Sequence, residues 1–116
     1  MNKDYKLAIV GSKDACIGFH ALGVTVRYAA EASEALEAIQ ELKEQKQESG
    51  ETLPKFAIIF VSENLYKKID QETYRKLTKE ALPAIVSIPN ITGSTGFGVE
   101  RLKNIVERAV GTNILG

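Results

Sequence analysis

Phe56-Ala57-Ile58-Ile59-Phe60-Val61 is the stretch whose reading decides the fold. It is apolar throughout and mostly β-branched or aromatic, with no polar residue on alternate positions. A strand with one wet face alternates, so an unbroken apolar run of this length reads as a strand covered on both sides, as in a parallel sheet between helices. Working outward, Lys6 to Val10 and Ala84 to Ile88 share this character, and Val24 to Tyr28 supplies a fourth strand. Parallel neighbours need crossovers, and each interval between the runs is long enough to hold a helix.

The intervals carry helix signals. Asp14 is placed to cap a short helix through Ile17, Phe19 and Leu22, with Gly23 to end it. Ser33 is placed to cap a second, with Ala35, Leu36, Ile39 and Leu42 inward. Its polar end, Glu41 to Gly50, is expected to continue as helix past the sheet, followed by a turn through Ser49 and Gly50 to Pro54. Glu63 to Glu80 reads as one broken helix or two short ones, with Asp70 capping a second piece that bears Tyr74 and Leu77. Leu102, Ile105, Val106, Ala109 and Val110 form the stripe of a final helix, with Glu100, Lys103 and Glu107 opposite and Gly111 at its end. The expected architecture is α/β: one flavodoxin-like, Rossmann-like domain over 1–116, with a four-stranded parallel sheet in the order 2-1-3-4, flanking helices, a C-terminal helix and a short apolar tail.

Composition narrows the function classes. Fifteen Lys and Arg balance fifteen Asp and Glu, leaving no overall field for nucleic acid or an anionic membrane surface. The single cysteine, Cys16, has no intramolecular disulfide partner, and Met-Asn-Lys-Asp-Tyr begins the chain without an apolar signal segment, so a cytoplasmic location is expected. The longest apolar run is far short of the roughly 18 residues of a membrane-spanning helix. Membrane association is therefore expected only through another subunit.

Four chemistries can be set against the loops at the carboxyl ends of the strands. Gly93-Ser94-Thr95-Gly96-Phe97-Gly98 precedes a helix whose free N–H groups suit an anion, but no Lys follows as in a P-loop, and a dinucleotide fingerprint belongs after the first strand. A phospho-accepting receiver domain would need paired acids after strand one, an Asp ending strand three and a later Lys; only Asp14 is in place. Asp14 and Glu63 with distant His20 do not make a metal-ligand set. Cys16 and His20 share a helical face at i, i+4, yet no third group orients them and the thiol sits in an apolar setting. No catalytic residue, cofactor site or metal site is expected.

Leu82-Pro83-Ala84-Ile85-Val86-Ser87-Ile88-Pro89, the Gly93 to Gly98 turn leading into Val99-Glu100-Arg101-Leu102, and Val106-Glu107-Arg108-Ala109-Val110-Gly111 followed by Asn113-Ile114-Leu115 together resemble the family of F subunits of V-type and A-type rotary ATPases. Ile9-Val10-Gly11, Gly18-Phe19, Leu22-Gly23 and the Phe56 to Val61 strand followed by Ser62-Glu63 extend the resemblance along the chain. The polar region from Glu41 to Pro54 is longer than the family's pattern, and Pro89-Asn90-Ile91-Thr92 stands where a more Gly-rich turn is expected. The resemblance implies a non-catalytic rotor component of the central stalk that binds the coiled-coil D subunit of that stalk and the subunit linking the stalk to the membrane ring, coupling ATP synthesis or hydrolysis elsewhere in the complex to ion transport. It implies no cofactor and no direct membrane insertion.

The residues supply a reason for partner binding. Ile114 and Leu115 place two large aliphatic groups at a terminus, where chains are usually polar. Such a tail either folds back on its own domain or docks on a partner helix with Phe97, Arg101 and Arg108. The two arginines, seven residues apart, share a helical face suited to carboxylates along a coiled-coil flank. The expected interface is Gly93, Ser94, Thr95, Gly96, Phe97, Gly98, Arg101, Arg108, Ile114 and Leu115. The alternative is an anion- or nucleotide-sensing regulatory domain that uses the Gly93 to Gly98 turn.

Overall fold

A computed structural model describes residues 5–20, 22–48, 50–80, 82–89 and, near the C-terminus, 104, 107 and 108. In chain order it contains β1 (Lys6–Gly11), α1 (Lys13–His20), β2 (Thr25–Tyr28), α2 (Ala32–Glu44), β3 (Lys46–Gln47), β4 (Gly50–Pro54), β5 (Phe56–Ser62), α3 (Glu63–Tyr66), α4 (Gln71–Leu77) and β6 (Ala84–Ile88). The main sheet runs β2-β1-β5-β6, and every pairing in it is parallel. Counted by themselves these four strands keep the expected order; the small β3-β4 hairpin inserted between the second and third shifts the numbering.

β5 is the axis of the domain, and all seven of its residues are buried. Its alternate side chains feed two cores. Ile59 and Val61 join Ala8, Val10 and Ile85 beneath α2, which contributes Ala35, Ile39 and Leu42. Ile58 and Phe60 join Ile9 and Ile88 on the other face, beneath Cys16 and Phe19 of α1, with the Phe19 and Phe60 rings 5.6 Å apart. Fully burying each large apolar side chain stabilises the fold by about 1.5–3 kcal/mol, which is why the unbroken run could not tolerate a wet face.

Local chemistry sets the helix ends. α1 starts one residue before Asp14, and the Cys16 N–H donates to the Ser12 carbonyl at 3.0 Å, so Asp14 lies within the first turn and is not the cap. With Cys16 and Phe19 directed inward, Ile17 falls on the outer side of the helix and is 58% exposed. Gly23 does end the helix: it adopts φ +76, its N–H donates to the His20 carbonyl at 3.2 Å, and the Val24 N–H reaches back to the Phe19 carbonyl at 3.3 Å. That pair of bonds is the Schellman arrangement, whose left-handed residue favours glycine.

α2 begins one residue before Ser33, so its N-cap is Glu31. The Glu34 carboxylate accepts from the backbone N–H groups of Glu31 and Ala30, each at 3.2 Å. With Glu31 at the cap, Glu34 stands three residues on, where a capping-box acid is useful; Ser33 at the cap would have put Leu36 there. Leu36 is only partly buried, and Ala38 takes a buried place beside Ala35, Ile39 and Leu42.

The helix does not continue through the polar stretch. It ends at Glu44, and the chain returns as the β3-β4 hairpin, with Lys46 opposite Pro54 and Gln47 opposite Gly50. Beyond Leu42 no apolar residue recurs at helical spacing, so a longer helix would gain no packing, and isolated helical turns are marginal in water. The hairpin instead gains anchors: the Lys55 N–H donates to the Gln45 carbonyl at 2.9 Å, and the Gln47 amide donates to the Pro54 carbonyl at 3.2 Å.

Glu63 to Glu80 is divided as expected. α3 and α4 are two short helices, Asp70 caps the second by accepting from the Thr73 N–H at 2.7 Å, and Leu77 is buried. The Tyr66 and Tyr74 rings meet edge to face at 5.8 Å and tie the two pieces together.

Candidate functional site

The chain moves outward from β1 to β2 on one side and to β5 and β6 on the other, so the order reverses between β1 and β5. In such sheets ligands usually bind beyond the carboxyl ends at that reversal. Here those ends deliver Ser12 after β1, Glu63 and Asn64 after β5, and Pro89 after β6. An open depression of about 380 Å³ lies at the edge near β2, with Lys13, Tyr28 and Glu34 on its walls. The Glu34 carboxylate there already serves as helix cap for the N–H groups of Ala30 and Glu31.

The catalytic and metal candidates fail on position. Cys16 is fully buried, and loss of hydration pushes its thiol from 9.0 up to about 11. Such a thiol stays protonated at neutral pH, whereas a nucleophile needs the thiolate. His20, at the far end of α1, is exposed. Because α1 runs antiparallel to the strands, His20 lies toward their amino edge, while Glu63 follows the carboxyl end of β5. The fold separates the groups that a metal site would need together, and among the described residues no cluster of His, Cys, Asp or Glu is suited to hold a metal ion. No helix among the described residues is long and apolar enough to cross a membrane.

The expected partner surface falls mostly beyond the described residues. Gly93, Ser94, Thr95, Gly96, Phe97, Gly98, Arg101, Ile114 and Leu115 lie outside them. Arg108 lies within them, in helical conformation and exposed, as are Asn104 and Glu107. Asn104 and Arg108, four residues apart, share one helical face.

The sequence matches the model of a family described as ATP synthase (F/14-kDa) subunit over residues 7–106. The F subunit of the V-type ATP synthase of Clostridium perfringens is 37% identical over 115 residues, covering 95% of each chain. The F subunit of the A-type ATP synthase of Methanothermobacter thermautotrophicus is 28% identical over 114 residues, covering 94% of this chain and 95% of the relative. The crystal structure of the F subunit of the V-type ATP synthase of Archaeoglobus fulgidus superposes with a TM-score of 0.58 at 20% identity, covering 73% of this chain and 98% of that one, a likeness of fold. The family match runs from the first strand, through the buried β5 axis and the glycine-rich stretch 93–98 of the sequence, to residue 106, and on it this chain belongs to the family of the ATP synthase (F/14-kDa) subunit.

Proposed function

We propose that the chain is a non-catalytic rotor component of the central stalk of a V/A-type ATP synthase or ATPase. It binds the coiled-coil D subunit of the stalk, meets the subunit linking the stalk to the membrane ring, and couples ATP synthesis or hydrolysis on other subunits to ion transport. It resides at the cytoplasmic side of the membrane through the complex. The observation that carries the reading is that the family match spans residues 7–106 and so takes in the Gly93 to Gly98 turn and Arg101. The shared region thus includes much of the segment assigned to the grip, and not only the sheet that many unrelated domains possess.

In this reading the Gly93 to Gly98 turn brings backbone close to the partner, Arg101 and Arg108 meet carboxylates on the coiled-coil flank, and Ile114 and Leu115 add apolar area. Aromatic residues and arginines are enriched at interfaces, consistent with Phe97 beside the arginine face. Titration calorimetry with the purified coiled-coil partner tests it. Tight binding by the full chain is expected, weakened by Arg101→Glu and by removal of residues 112–116. Binding indifferent to both changes rules out this grip. Phosphate or ATP at millimolar concentration is expected to leave the amide resonances of Ser94 to Gly98 in place; shifts there would favour an anion-sensing domain.

A further inference from the structure

We draw no further inference here: the strongest candidate, the buried Ser62 Oγ and Asn64 Oδ1 atoms left without a hydrogen-bond partner among the described residues at the carboxyl end of β5, carries nothing because nothing in the structure shows what covers them.

Discussion

Replacing Phe60 by alanine tests whether β5 carries the domain in the way its sequence implies. The ring is fully buried and packs against Phe19 at 5.6 Å with the planes tilted by 40°. Truncation removes the transfer free energy of a large side chain, opens a cavity beneath α1 and abolishes the ring pair, for a total cost of about 3–5 kcal/mol. At about 0.05–0.15 kcal/mol per residue, 116 residues are worth roughly 6–17 kcal/mol, so the variant still folds over most of that range. With a urea slope of roughly 1.5 kcal/mol per molar, the midpoint falls by about 2–3 M. Urea unfolding followed by circular dichroism measures it. A double-mutant cycle with Phe19→Leu and Phe60→Leu should return about 0.5–1.5 kcal/mol of coupling. A midpoint shift under about 0.7 M with an unchanged slope, or strict additivity in the cycle, would refute the reasoning.

Gly23→Ala should cost about 1–2 kcal/mol although an added Cβ meets nothing within 4 Å, because the penalty comes from φ +76 and not from crowding; Gly23→Asn should cost less, both read by thermal unfolding. Cys16 should resist a disulfide-exchange reagent at pH 8 and react at the rate of unfolding. Its folded-state pKa is raised, so its contribution to stability is complete below about pH 9 and is lost as pH rises toward about 11, which denaturation across that window would show. Asp70 has the opposite sign: bonds from Thr73 lower its pKa, so its cap contribution is present above the unfolded value of 3.8 and is lost as pH falls through the lower folded value. The Thr73 amide resonance should titrate with it, and a titration centred above 3.8 would contradict the capping geometry.

What the sequence determined by itself was the part governed by local pattern. The unbroken apolar run at Phe56 to Val61 demanded cover on both faces, and such cover leaves a parallel sheet with helical crossovers as the economical arrangement. Gly23 and Asp70 were legible because a left-handed residue and a carboxylate cap each act on their own few neighbours. The signal for Glu31 as a cap was also present, in the acid three residues later at Glu34, but Ser33 is the stronger capping type and points two residues downstream. Tertiary structure alone decided the rest. That Ile17 faces away from the sheet while Cys16 meets it depends on the angle at which α1 leaves Gly11, since consecutive residues stand about 100° apart around a helix. The hairpin at 46–54 was decided by bonds between Gln45 and Lys55 and between Gln47 and Pro54, residues that show neither apolar period. Polar side chains do not announce which backbone groups they will meet. That Lys43, Lys46 and Lys76 line one groove is of the same kind, because charges from three elements become one surface only after folding has brought those elements together.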